Sequence, residues 1–172
     1  IQYAFKLPAE DPRTEPLRQK LLRLYLEKMA DYTEFFPGIE KLLTYINDQG
    51  IRWGIATNRP QFLMPPLIKK FQLEKRAACL VFADTVKHPK PAPDMLLHAC
   101  EVTNVTPTET IYVGDTANDM IAANTANMAG IFASYGYLRE ESNLQDFQFH
   151  AKINHPLELI TLLQPSNVST TK

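Results

Sequence analysis

The sequence predicts an α/β fold in which a largely parallel sheet is flanked by helices. Three observations carry this. Short apolar runs at residues 51–57, 79–83, 111–113 and 131–134 alternate with longer segments of helical periodicity, the pattern of successive β-α-β units. The run at 111–113 ends in Gly114-Asp115 and passes at once into a helical pattern beginning near Ala117, so a buried strand delivers a carboxylate to a strand-to-helix turn. Finally, 172 residues with 45% hydrophobic content can bury one good core, which limits the chain to one main domain and a small appendage.

Residues 1–13 hold Pro8, Pro12 and several charges, and read as irregular apart from a short run at 3–7. Thr14 is a candidate N-cap. After it Leu17, Leu21, Leu24 and Lys28 recur at helical spacing, with Leu22, Tyr25 and Met29 widening the apolar face; this predicts an amphipathic helix over 14–30. Phe35-Phe36-Pro37-Gly38 interrupts the pattern and places the boundary between an N-terminal helical segment, 1–34, and the main domain, 35–164. Ile39, Leu42, Leu43 and Ile46 mark a helix that Gly50 closes. The first strand follows at 51–57, then a helical region at 60–73 that Pro65-Pro66 must break or kink. A strand at 79–83, a loop to Pro93, a helix at 94–102 and the strand at 111–113 come next. Residues 131–134 form one more strand, 135–155 are mostly loop and 156–163 are a last helix. The polar tail 165–172 has nothing to pack and reads as disordered.

The net charge of −1, with mixed signs along the chain, argues against a nucleic-acid footprint and an electrostatic membrane anchor. No apolar stretch approaches the roughly 20 residues that cross a bilayer, and no basic-then-apolar leader opens the chain. Cys79 and Cys100 lie far apart in apolar runs and read as reduced core cysteines of a cytoplasmic protein. The expected partner is a small molecule. The chain opens on Ile1 rather than Met, so it is expected to be a fragment. His88, His98, His150 and His155 share no ligand spacing. Trp53 reads as core, and Asp84, at a strand end, could reach the crevice or take a turn role.

Ligands of α/β folds bind beyond the carboxyl ends of the strands, where Asp115 stands. Asp119, four residues on, can face the same crevice from the first helical turn, and two carboxylates there suit Mg²⁺. Thr116-Ala117-Asn118-Asp119 also fits a capping box, which leaves Asp119 with two readings. Thr57 and Asn58 follow the first strand and Lys90 lies in the loop beyond the second. Right-handed connections bring these strand ends to one edge, so Thr57, Lys90 and Asp115 should converge. A hydroxyl to donate, an ammonium to balance charge and carboxylates to hold a metal suit a phosphoryl group. Singly, Thr57 could cap a helix and Lys90 could be a solvated loop lysine.

IATNRP with Thr57, KPAPD with Lys90 and GDTAND with Asp115 and Asp119 resemble, in order and context, the later motifs of the haloacid dehalogenase-like phosphatases. The similarity covers about residues 35–163. FFPGIEKLL, the Lys-Pro loop and SYGY resemble most the branch of phosphoglycolate phosphatases and of the phosphatases acting on N-acetylmuramic acid 6-phosphate. The resemblance implies a three-layer, Rossmann-like parallel sheet and Mg²⁺ held by Asp115, with Asp119 supporting the metal site or orienting Lys90. It further implies a phosphoryl group held by Thr57 and Asn58 and neutralised by Lys90, an aspartyl-phosphate intermediate, and a small phosphorylated metabolite as substrate. Residues 1–34 would be the remnant of a helical cap.

One departure is large. The family's first motif, Asp-x-Asp-Gly-Thr, which supplies nucleophile and general acid, occurs nowhere in residues 1–172. The strand it ends is central, between those ending at Thr57 and Asp115, so a strand is expected to be missing there. The expectation is an N-terminally truncated, inactive chain. Each buried backbone group left unpaired costs roughly 1–3 kcal/mol against a total of about 5–15 kcal/mol. The isolated chain should therefore be marginal unless residues 3–7 fill the gap, the flanking strands close up or a partner inserts a strand. The alternative reading is a non-catalytic module that binds phosphate and Mg²⁺. A receiver-like phosphoacceptor domain does not fit the order of the residues.

Overall fold

The computed structural model describes residues 2–8, 10–137 and 148–164, and its strands pair only in parallel. β1 (Ile55–Thr57) pairs with β2 (Leu80–Phe82), Thr57 opposite Phe82. β3 (Ile111–Gly114), β4 (Ala129–Ala133) and β5 (Ala151–Ile153) form a second sheet in that order. The helices are α1 (Gln2–Phe5), α2 (Thr14–Tyr32), α3 (Ile39–Asp48), α4 (Pro65–Phe71), α5 (Leu73–Arg76), α6 (Asp94–Thr103), α7 (Ala117–Thr125) and α8 (Glu158–Leu163).

Alternation along β4 makes three layers, because successive side chains of a strand point to opposite faces. Ile131 and Ala133 pack with Leu42 and Ile46 of α3, Ile153 of β5 and Leu159 of α8. Phe132, between them, packs with Met120 of α7 on the other face, where α6 and α7 share a cluster of Leu96, Cys100, Ala122 and Ala123. A smaller cluster, Met29, Met64, Leu67 and Phe82, seats α2 and α4 beside β2. Lys70 fastens the end of α2: its ammonium donates to the carbonyls of Ala30 (2.8 Å) and Thr33 (2.6 Å), a cation on the negative end of the helix.

The sheet divides between β1 and β3, where the sequence predicts an interruption. No described segment pairs with either facing edge. A cleft of about 430 Å³ lies between them, lined by Ile55 and Ala56 on one side, Ile111 and Tyr112 on the other, and Leu96 and Cys100 below. Residues 3–7 do not fill it, since they begin in the short helix α1. The first strand is also shorter than its apolar run predicts: residues 51–54 line the cleft, and strand pairing starts only at Ile55 opposite Leu80.

Other local expectations are corrected by backbone chemistry. Pro65 and Pro66 start α4 rather than break a helix, because the first turn needs no N–H from them. Thr14 is the first residue of α2 and not its cap; its buried hydroxyl has no partner among the described residues. The predicted apolar face of α2 is buried only at Met29, while Leu21 and Leu24 are 54% and 46% exposed. β5 falls in a stretch predicted to be loop, since three residues are too few for a periodic signal. Trp53 packs on the α3–α8 cluster as predicted, its indole donating to Asn47 Oδ1 (3.2 Å). Both cysteines are free, Cys100 fully buried. The tail predicted to be disordered lies outside the described residues, and no described helix is long and apolar enough to cross a membrane.

Phe132→Ala should cost about 3–5 kcal/mol, because the ring is fully buried. Leu21→Ala, on the exposed face of α2, should stay within about 0.5 kcal/mol. Urea unfolding of the two variants measures both.

Candidate active site

β3 ends in Gly114 and hands Asp115 to the turn into α7. Thr116 caps that helix: its Oγ1 accepts from Asp119 N (3.3 Å), while Asp119 Oδ2 accepts from Thr116 N (3.0 Å) and Thr116 Oγ1 (2.6 Å). The capping box is thus fully formed. Gly114 permits it, since a Cβ there would overlap the Asp119 Cβ and carboxyl carbon.

The other oxygen of Asp119, Oδ1, accepts from Lys90 Nζ (2.7 Å) and the Tyr112 hydroxyl (3.0 Å). All four acceptor positions of this carboxylate, 6% exposed, are therefore taken. Burial works to raise its pKa, but the charge and hydrogen bond of Lys90, joined by Thr116 and Tyr112, outweigh it and hold the carboxyl below the usual range. Burial, then the neighbouring charge of Asp119, pushes the Tyr112 phenol up, so it remains a neutral donor.

Lys90 uses its three donors on Asp119, the Tyr112 hydroxyl (2.6 Å) and the Ala56 carbonyl of β1 (2.9 Å). Its backbone is clamped by Asn58: Lys90 N donates to Asn58 Oδ1 (3.0 Å) and Asn58 Nδ2 donates to the Lys90 carbonyl (2.8 Å). The side chain of Asn58, predicted to help hold a phosphoryl group, is thus committed to Lys90 and leaves its main-chain N–H for that task. Thr57 Oγ1 accepts from Arg59 N (3.2 Å), which leaves its hydroxyl proton to donate.

Asp115 meets the loop after β4. Its Oδ2 accepts from Tyr137 N (2.9 Å), and Gly136 is required beneath, since a Cβ would overlap the carboxylate. Oδ1 has no hydrogen-bond partner among the described residues. Of the residues predicted to meet here, Lys90 is in direct contact with Asn58 and Asp119, while Thr57 ends β1 and Asp115 follows the end of β3.

Asp84 takes the turn role, accepting from Gln61 N (2.9 Å). No described histidine, cysteine, aspartate or glutamate belongs to a group of three that could hold a metal. His88 instead pairs with Asp94 (3.0 Å), and His150 accepts from Gly130 N (3.1 Å). Tyr112 and Gly136 escaped the sequence reading. The signals were a hydroxyl within an aliphatic strand and a glycine between two tyrosines.

Lys90→Met should cost about 3–5 kcal/mol, because it leaves the Asp119 charge buried without its partner. Adding Asp119→Leu should recover part of that loss in urea unfolding. The lowered Asp119 pKa means that the contribution of this pair is fully present above the unfolded value near 3.9. It is lost as pH falls through the folded value, so the gap in stability between the wild type and Asp119→Asn should shrink in acid.

Comparison with known proteins places the chain in a family. The family model for haloacid dehalogenase-like hydrolases matches residues 2–133. N-acetylmuramic acid 6-phosphate phosphatase of Pseudomonas aeruginosa is 33% identical over 163 residues, covering 95% of this chain and 72% of the relative. Phosphoglycolate phosphatase of Xylella fastidiosa (strain 9a5c) is 34% identical over 137 residues, covering 80% and 60%. In the crystal structure of a predicted phosphoglycolate phosphatase from Haemophilus somnus 129pt the same fold recurs with a TM-score of 0.84 at 18% identity, over 95% of this chain and 72% of that one. CbbY from Rhodobacter sphaeroides in complex with phosphate gives 0.72 at 25%, over 88% and 68%. The order of motifs, the layered parallel fold and the matched family model together establish that this chain belongs to the haloacid dehalogenase-like hydrolases.

Proposed function

We propose that these residues form the phosphate- and metal-binding side of a Mg²⁺-dependent phosphomonoester hydrolase acting on a small phosphorylated metabolite, phosphoglycolate or a sugar phosphate. The observation that carries the reading is the placement of Lys90 Nζ, which touches Ala56 of β1 and Asp119 beside β3 at once. Lys90 thus stands between the strand end that carries Thr57 and Asn58 and the one that is followed by Asp115. The relatives named as phosphatases of N-acetylmuramic acid 6-phosphate and of phosphoglycolate support it.

Asp115 fits a hard cation: it is a carboxylate at a strand end with Oδ1 unengaged among the described residues. Asp119, the second predicted ligand, would have to release one of its four hydrogen bonds to reach the same ion, and its present bonds make it the anchor of Lys90. Mg²⁺, when bound, supplies neutralisation of the phosphoryl oxygens. Thr57 donates its hydroxyl proton to a phosphoryl oxygen, Asn58 adds its main-chain N–H, and Lys90 balances the remaining charge, so the contribution of these groups is positioning and electrostatics. Residues 1–34 are read as part of a helical cap, a role supported by the uncovered Leu21 and Leu24 on α2.

With no Asp-x-Asp motif to supply a nucleophile, the 172 residues alone bind phosphate without turning an ester over. A non-catalytic binding module is the second reading, favoured by that same absence. The two part on the intact mass of the protein as its own cell makes it. A mass above the 19.6 kDa of these residues by several kilodaltons, on the order of 5 for a further β-α unit and cap, supports the hydrolase. An equal mass supports the module.

In calorimetry, Mg²⁺ should tighten the binding of inorganic phosphate, and Asp115→Asn should weaken Mg²⁺ binding at least about tenfold. Phosphate binding indifferent to both Mg²⁺ and Asp115→Asn would overturn the metal assignment. Release of phosphate from p-nitrophenyl phosphate by the 172 residues would overturn their proposed inactivity.

A further inference from the structure

Arg59 stands two residues beyond Thr57, and its main-chain N–H is bonded to the Thr57 hydroxyl oxygen (3.2 Å). Its guanidinium reaches toward α2, where Nη1 lies 3.2 Å from Met29 Sδ and Cζ lies 5.6 Å from the centre of the Tyr25 ring. Neither neighbour carries charge, and a thioether is a weak acceptor for one of five N–H donors. No carboxylate lies within ion-pairing distance of Arg59 among the described residues. Arg13, Arg18 and Arg76, by contrast, are each paired to an acidic side chain. A half-buried guanidinium with no counter-charge among the described residues, held in place by a sulfur and an aromatic face, is a site prepared for an anion.

That anion is not the transferring phosphoryl group, for which Thr57, Asn58 and Lys90 already provide. The planar fork of Arg matches a carboxylate in two parallel hydrogen bonds. The relatives' names, N-acetylmuramic acid 6-phosphate phosphatase and phosphoglycolate phosphatase, both denote phosphate esters of a carboxylic acid. We infer that Arg59 selects substrates by binding a carboxylate carried on the phosphate ester, between the end of β1 and the Tyr25–Met29 face of α2. This rests on the phosphate-site reading above.

The test compares 2-phosphoglycolate with 2-hydroxyethyl phosphate, of similar size but without the carboxylate, by calorimetry on this chain in the presence of Mg²⁺. Inorganic phosphate serves as the control. The wild type should bind 2-phosphoglycolate more tightly by about ten- to a hundredfold, the usual effect of a charge-assisted pair. Arg59→Met, which keeps an apolar stem against Tyr25 and Met29, should bring that ratio near one, and Arg59→Lys should fall between. A brace that merely holds α2 would shift both esters together and preserve the ratio. A ratio near one in the wild type, or one preserved in Arg59→Met, overturns the assignment while inorganic phosphate binding leaves the phosphate site standing. Failure of all three ligands to bind overturns both.

Discussion

Lys90 and Asp119 meet at 2.7 Å with both side chains almost wholly withdrawn from water. Two charges in such a place are tolerable only when the remaining donors and acceptors are also matched. Here they are: Lys90 finds a β1 carbonyl and a β3 hydroxyl, and Asp119 finds the capping residue of α7. One ion pair thus fixes the distance between the two sheets, the start of α7 and the course of the loop that carries Lys90. Asn58 holds that loop from the other side through both polar atoms of its amide. Each group that touches the ion pair belongs to a different structural element, so the pair ties β1, β3, α7 and the Lys90 loop together.

Two glycines make the arrangement possible by what they lack. At Gly114 the first turn of α7 comes so near that a Cβ would strike Asp119, and at Gly136 the loop after β4 passes directly over Asp115. Each close approach brings a main-chain donor or a cap to a carboxylate that would otherwise rely on water. Asp119 and Asp115 differ as a result. The first is saturated and its carboxyl held acidic, while Oδ1 of the second accepts no hydrogen bond among the described residues. That asymmetry is why the proposed cation is assigned to Asp115 and the anchoring of Lys90 to Asp119.

The α2 helix sits apart from this network and yet touches its margin. Met29 is its one buried residue, and Lys70 draws its last carbonyls toward α4. Through Tyr25 and Met29 the same helix reaches Arg59, next to Thr57. The segment that sequence divides from the main domain therefore faces the strand end on which the phosphate reading depends.

Sequence by itself determined the alternation of strands and helices, and it singled out a boundary near Phe35 and the five residues Thr57, Asn58, Lys90, Asp115 and Asp119 as candidates. These rest on local signals: apolar runs, turn chemistry and a carboxylate directly after a strand. The capping box was equally legible, because its partners lie within one turn of helix. Tertiary structure decided what depends on groups distant in the chain. It gave the side chain of Asn58 to Lys90, 32 residues on, and made the Tyr112 hydroxyl part of the site through Ala56, 56 residues away. It also opened the cleft between β1 and β3 and left most of the α2 apolar face uncovered. A pattern records that a residue is apolar or can donate a hydrogen bond, but only the folded chain sets which surface it covers and which acceptor comes within 3 Å of it.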